Sequence, residues 1–291
     1  MTEAESARFR RRRAMLSQAF AFVCLLATVL CVLVLFVLLW GVFSRGLPWL
    51  SWGLLTNYPS RFPEQAGILP ALAGSVWLIG MTAIFSVPIG VGAAVYLEEY
   101  ATASRWRSLV QLNIANLAGV PSIVYGILGL GLFVRALALE ESLLAGALTL
   151  TLVVLPIVIL AAQESLRAIP NSIRHASYAL GATRWQTVRY QVLPAALPGI
   201  LTGVILAISR ALGEAAPIVV VGAAIFMNFV PTTPTDEYSA LPMQIFYWAG
   251  HANRQFHDVA AAAIIVLLTV LILMNATAVY LRYRYGRRIQ W

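Results

Sequence analysis

The chain contains no lysine: all 20 of its basic residues are arginine. A GxxxxGK[ST] loop, the phosphate cradle of an ATPase, is therefore excluded, and any nucleotide-driven work has to come from another chain. Histidine occurs only at 175, 251 and 257, and neither an HExxH nor a GxSxG motif is present, which leaves hydrolytic chemistry without its usual parts. His251 and His257 stand near Asp258, where a loose zinc site competes with the simpler reading of a solvated loop. The two cysteines, Cys24 and Cys31, are seven apart on one predicted helix, too far along its axis to bridge, and read as packing residues. Charge of either sign is scarce: 11% of residues are charged against 60% apolar, and the mean hydropathy is +0.80, which excludes an ordinary soluble domain.

What remains is apolar length. A spanning helix needs about 20 mostly apolar residues, and six stretches meet or approach that, near 16–43, 70–97, 109–134, 142–162, 195–224 and 259–281. The expected fold is an all-α polytopic membrane protein of six transmembrane helices. The third stretch is interrupted by Asn113, Asn116 and Pro121, which suggests burial among neighbours rather than exposure to lipid. Gly126, Gly129 and Gly131 follow it in an apolar run, without the strand or acidic ribose ligand of a dinucleotide site, and read as close helix packing. Pro88, Pro121, Pro156, Pro198 and Pro217 predict local bends.

Arginine sets the orientation. Arg8, Arg10, Arg11, Arg12 and Arg13 precede the first span, and Arg282, Arg284, Arg287 and Arg288 follow the last, so both termini are expected in the cytoplasm. Six spans place the loop of Arg105 and Arg107 and the loop of Arg167, Arg174, Arg184 and Arg189 on the same side, leaving Arg45, Arg61, Arg135 and Arg254 outside. The layout is a cytoplasmic tail over 1–15, a permeation domain over 16–281 with a loop at 163–194, and a second tail over 282–291. The net charge of +8 is explained by topology and anionic lipid headgroups, not by nucleic acid. The first apolar run is about twice the length of a signal h-region and lacks a clear cleavage site, so it reads as a retained anchor.

Two regions depart from the apolar background. Arg210 and Glu214 stand four apart inside the fifth run, one turn apart on a helix face, where a charge costs a few kcal/mol or more and by default marks a substrate path. A guanidinium offers a planar fork suited to an oxyanion, with Glu214 neutralising it when the path is empty. The other acidic pairs, Glu98–Glu99 and Glu140–Glu141, lie at predicted span ends, where water solvates them. In the inner loop, 171–180 reads as a helix capped by Asn171 or Ser172 and stopped by Gly181, and 183–192 as a second short helix carrying Arg184, Trp185 and Arg189. Pro194 begins the rise into the fifth span. Taken alone, such an amphipathic elbow more often lies on the membrane surface than docks a protein.

The order of its residues changes that weighting. His175-Ala176-Ser177, three residues, Gly181, then Leu193-Pro194 resembles the coupling-loop signature of ABC importer permeases, which begins EAA and ends I-x-L-P; His175 stands at the Glu position and Gln191 at the Ile position. The runs GVPSIVYG at 119–126, RALGEAAP at 210–217 and LPMQIFYW at 241–248 are similar to the A-type permease family of phosphate ABC importers. The resemblance implies a type I importer permease fold with a cytoplasmic coupling helix. It also implies a second permease, a cytoplasmic ATPase dimer that uses the ATP, an external phosphate-binding protein, and inorganic phosphate as cargo. This chain would then be non-catalytic and bind no cofactor or metal. His175, Ala176, Gly181, Leu193 and Pro194 would couple to the ATPase, with Arg210 and Glu214 in the pathway. The alternatives are the sister permease, a permease for sulfate, molybdate or phosphonate, an intramembrane enzyme acting on lipid phosphates, and an assembly subunit; the enzyme would need a nucleophile or metal cluster that the sequence does not offer.

Overall fold

A rise of 1.5 Å per residue lets an apolar run of about 20 residues cross the hydrocarbon layer as a helix, the arrangement that satisfies every backbone polar group internally. In a computed structural model, which describes residues 3–102, 104–223 and 226–286, the chain does this with twelve α-helices and no named β-strand among the described residues. They are α1 (Glu3–Gly46), α2 (Trp52–Thr56), α3 (Leu69–Val95), α4 (Arg105–Ala118), α5 (Ser122–Gly129), α6 (Leu143–Arg167), α7 (Asn171–Ala179), α8 (Arg184–Thr187), α9 (Leu193–Gly213), α10 (Ala216–Val221), α11 (Leu241–Ala249) and α12 (Gln255–Gly286). Five helical stretches are long and apolar enough to span: Met15–Trp49, Leu69–Tyr100, Leu143–Arg167, Arg184–Gly213 and Gln255–Tyr280. A sixth is added when α4 and the segment Ser122–Ala136 are taken together as one bent crossing. The C-terminal arginines Arg287 and Arg288 and residue 224 at the end of the fifth predicted span lie outside the described residues.

The third span, placed near 109–134 with interruptions at Asn113, Asn116 and Pro121, is broken. α4 ends at Ala118, and Pro121, in an extended conformation, caps α5, so that the two halves meet at 102°. Proline has no N–H to continue the ladder, and its ring excludes the preceding helical carbonyl. The break is tied shut by the Tyr125 hydroxyl, which donates to the Leu117 carbonyl at 2.8 Å. The fifth span also ends early, at Gly213 rather than near 224. A helix continued through Pro217 would drive its ring into the Gly213 carbonyl, and the chain instead turns extended at Glu214 and restarts as α10. Pro88, Pro156 and Pro198, by contrast, lie inside α3, α6 and α9, which run on past them.

α6 is the central helix. Leu143, Leu150, Val154, Val158, Ala162 and Leu166 along it are almost fully buried against α3, α5 and α9. Close approach depends on small residues, as expected where lipid offers no hydrophobic drive between helices. A Cβ on Gly126 would lie 2.8 Å from the Pro217 Cα of α10, and one on Gly129 would overlap Thr149 of α6, but Gly131 has open space around it and is no packing glycine. At the other extreme α1 buries no residue of its most apolar stretch and meets α12 where Gly46 passes Ala261 and Ala262. Cys24 and Cys31 lie exposed on this helix, so they do not pack inside the chain.

Candidate coupling elbow and pathway charges

The elbow forms where the sequence places it. Its first helix, α7, begins after Pro170, which occupies the cap position without a side-chain bond; neither Asn171 nor Ser172 caps it. Proline fixes the cap dihedral, and the Asn171 side chain is drawn instead toward Arg174 Nη1, at 3.4 Å. The helix ends in a left-handed residue, Gly181 at φ +82°, with the Gly181 N–H donating to the Tyr178 carbonyl and the Ala182 N–H to the Ser177 carbonyl. That is a Schellman stop, a conformation glycine adopts without a Cβ penalty. Thr183 opens α8 with a reciprocal capping box to Gln186, and the helix runs through a wide turn at Val188–Val192 into α9 without interruption. Pro194 therefore stands within a continuous helix. The Ser177 and Thr187 hydroxyls, 2.9 Å apart, hold the two arms together.

His175, Ala176 and Gly181 all lie exposed on this elbow, whereas Leu193 and Pro194 are half-buried at the start of α9. The outward face is apolar and aromatic for a segment so rich in arginine: Leu180 is 90% exposed, and Tyr178, Trp185 and Tyr190 are exposed beside it. Arg210 and Glu214 are brought together, Nε to Oε1 at 3.1 Å, but across the end of α9 rather than along its face. Arg210 is in the last helical turn, where a cation complements the exposed carbonyls, and Glu214 lies just past it in an extended conformation. The arginine side chain is 48% exposed and the glutamate 17%. The two terminal guanidinium nitrogens have no partner among the described residues.

The acidic pair Glu98–Glu99 is not solvated at a span end, as the sequence suggested. It lies on a wide helical turn, Tyr96–Tyr100, that closes α3, with Glu99 buried and Glu98 nearly so. Glu98 accepts from Arg107 Nη2 at 3.2 Å, from Arg167 Nη2 at 2.7 Å and from Gln163 Nε2 at 2.9 Å. Glu99, 4% exposed, accepts from Arg174 Nη2 at 2.6 Å and from its Nε at 3.1 Å. Burying a carboxylate without such partners would be prohibitive, so the sites are mutually required. The following residue, Tyr100, has the Arg184 guanidinium over its ring at 5.2 Å. The signal for this cluster was present in the sequence as arginines on the loops expected to share a side with the two acids, but not as a pairing.

At the other end of α6 the loop segment 232–236 is held by its own hydrogen bonds. Asp236 accepts from the Thr232 and Thr233 N–H groups at 2.8 Å each and from both hydroxyls, and these bonds, the Thr233 hydroxyl foremost, hold its carboxyl well below the usual range, at about 2. The loop docks on the start of α6, where the Leu143 N–H donates to the Asp236 carbonyl and the Leu144 N–H to that of Pro234. The two histidines around the start of α12 make ordinary contacts: His251 Nδ1 accepts from the Asn253 N–H, and His257 Nε2 lies 2.9 Å from the His251 carbonyl. No group of three His, Cys, Asp or Glu residues suited to a metal ion occurs among the described residues.

Residues 86–289, from within α3 to beyond α12, match the family described as binding-protein-dependent transport system inner membrane components. The chain belongs to that family. The permease is 34% identical over 258 residues to the phosphate transport system permease protein PstA 1 of Mycobacterium tuberculosis H37Rv, covering 86% of this chain and 82% of that one. It is 34% identical over 254 residues to PstA of Haemophilus influenzae, covering 86% and 89%. Among solved structures, an importer of the acidic polysaccharide alginate superposes with a TM-score of 0.68 at 15% identity, over 94% of this chain and 99% of that one. The inward-facing MetNI methionine transporter gives 0.61 at 22% identity, over 75% and 97%. At such identities these two share the fold alone. The permease is thus a multi-pass inner-membrane transport component with the architecture of ABC type I importer permeases.

Proposed function

We propose that the permease forms half of the translocation pathway of an ATP-driven importer of inorganic phosphate. The observation that carries this reading is the similarity to PstA proteins over most of both chains. A second permease completes the pathway, a separate cytoplasmic ATPase dimer hydrolyses the ATP, and an external phosphate-binding protein delivers the anion. The permease itself performs no bond chemistry and holds no cofactor. Both termini are cytoplasmic, with tails over 1–15 and 282–291 flanking the membrane domain 16–281 and its coupling loop 163–194, in keeping with the arginines that crowd the two ends.

In this reading His175, Ala176 and Gly181 dock in a groove of the ATPase, and Leu193 and Pro194 transmit the movement into α9. The exposed aromatic and aliphatic face of the elbow supports it, because burying that face against a partner removes apolar area from water at about 25 cal/mol per Å². α9 carries the movement some 20 residues to its far end, where Arg210 stands with two donor nitrogens unengaged. Phosphate accepts the fork of Arg210, and Glu214 competes for it, so the anion is held weakly enough to leave.

The test is uptake of labelled phosphate at low external concentration in cells lacking this chain, complemented with wild type or Arg210→Gln at equal membrane abundance. Restoration by wild type and loss of about tenfold or more in the mutant is expected, the size of one lost charge-assisted contact. Restoration by both would remove Arg210 from the working path; uptake of a different oxyanion alone would overturn the substrate.

A further inference from the structure

Docking explains how the ATPase grips the elbow, but the grip is useful only if several spans move with it. α9 is one route, since the elbow runs into it directly. We infer that Glu99 and Arg174 are positioning residues that fasten the elbow's first helix to the ends of α3 and α6, so that a displacement of the elbow moves three spans as one body. This rests on the reading of the elbow as the coupling element and extends it to residues outside the signature loop.

The geometry is specific to that task. Arg174 projects from α7 and uses its whole guanidinium: Nη2 and Nε hold Glu99, Nη2 also donates to the Leu166 carbonyl at 3.0 Å, and Nη1 donates to the Ile169 carbonyl at 2.7 Å. One side chain thereby ties the elbow, the last turn of α6 and the turn that closes α3. Lysine, with a single nitrogen, could not span these acceptors; the planar fork is required. The wide turn at Tyr96–Tyr100 is a local departure from regular helix, a feature often found where a helix is adapted to a functional site. It lets adjacent carboxylates serve different neighbours, Glu98 the arginines of α4 and α6, Glu99 that of α7. A second strut reaches the other arm of the elbow, where Arg184 stacks over Tyr100, and the Ser177–Thr187 bond keeps the arms from moving apart.

A buried ion pair that served folding alone would leave the yield of transport per ATP untouched. The whole importer is therefore reconstituted in lipid vesicles, this permease with its second permease, ATPase and phosphate-loaded binding protein, and phosphate moved per ATP hydrolysed is measured. Glu99→Gln and Arg174→Lys should lower that ratio by about 3- to 30-fold, while hydrolysis continues. Tyr100→Leu, which leaves the buried pair in place, should lower it less, and Tyr100→Phe should match wild type. An unchanged ratio in both Glu99→Gln and Arg174→Lys overturns the inference. If Glu99→Gln prevents assembly, Arg174→Lys and Tyr100→Leu decide, and an unchanged ratio in both overturns it equally. A wild-type complex that moves another oxyanion but no phosphate refutes the substrate assignment and not the fastening, for the same ratio is then read with that oxyanion.

Discussion

Arg174 and Arg210 each face a glutamate, and the permease holds them in opposite ways. Arg174 is 15% exposed against a glutamate at 5%, with its nitrogens engaged by a carboxylate and two carbonyls. Arg210 is 48% exposed against a glutamate at 17%, with one nitrogen engaged and two unengaged. A charge whose donors are saturated and shut from water has no free valence for a ligand; what it can do is hold elements together. A charge half in the open with donors to spare contributes little to holding anything, and its remaining hydrogen bonds suit a passing anion. The contrast is the one the proposed roles require, Arg174 transmitting movement and Arg210 meeting the anion.

The comparison is sharpest in stability. Removing one partner of a buried pair strands the other, so Arg174→Gln should destabilise the permease by about 3–5 kcal/mol. The same change at the half-exposed Arg210 should cost clearly less, because its pair is less fully shut from solvent and one nitrogen rather than three is engaged. Thermal unfolding of the purified complex with each variant measures both. Equal losses would break the distinction, because Arg210 would then be as structural as Arg174.

How much of this was legible beforehand follows the range of the interactions involved. The long apolar runs are local, and all but the third and the end of the fifth form as expected. The break in the third was foreshadowed by Asn113, Asn116 and Pro121, although its 102° angle depends on how α5 seats against α10 and α6. The elbow was legible to its stop at Gly181, since a Schellman end is encoded within a few residues. Its start was misread because Pro170 takes the cap position from Asn171. The Glu98–Glu99 cluster was not legible, for Gln163 lies 65 positions from Glu98 and Arg174 lies 75 from Glu99. Two acids at a span end look solvated until the fold brings arginines over them. Arg210 and Glu214 were read as one helical face, and the pair formed even though Pro217 ends the helix between them.

Gly181 tests whether the elbow's shape matters apart from its charges. No atom lies within 4 Å of where its Cβ would be, so a side chain there meets only the backbone penalty of φ +82°. Gly181→Val should cost about 1–2 kcal/mol locally. The Schellman stop would loosen, and transport per ATP should fall with membrane insertion unchanged. Gly181→Asn, which tolerates the left-handed region, should stay near wild type. Valine transporting as well as glycine would show that the ATPase does not read this turn, and would leave the fastening by Arg174 as the feature that matters.

The smallest effect is expected at Asp236, a half-buried carboxylate held by hydrogen bonds alone. Its carboxyl is lowered from 3.8 to about 2 by the Thr233 and Thr232 donors. A group whose folded value lies below its unfolded one contributes fully above the unfolded value, and that contribution is lost as pH falls through the folded one. Amide exchange at Thr232 and Thr233, corrected for intrinsic rates, should therefore be flat from neutral pH to about pH 5 and lose about tenfold of its protection by about pH 2.5. Asp236→Asn keeps an acceptor but no charge, so its protection should be lower at neutral pH and independent of pH across that window. Protection that falls equally in both would assign the order of the 232–236 segment to its backbone bonds on α6, through the Leu143 and Leu144 amides, and would leave the carboxylate as a bystander on a loop already fixed.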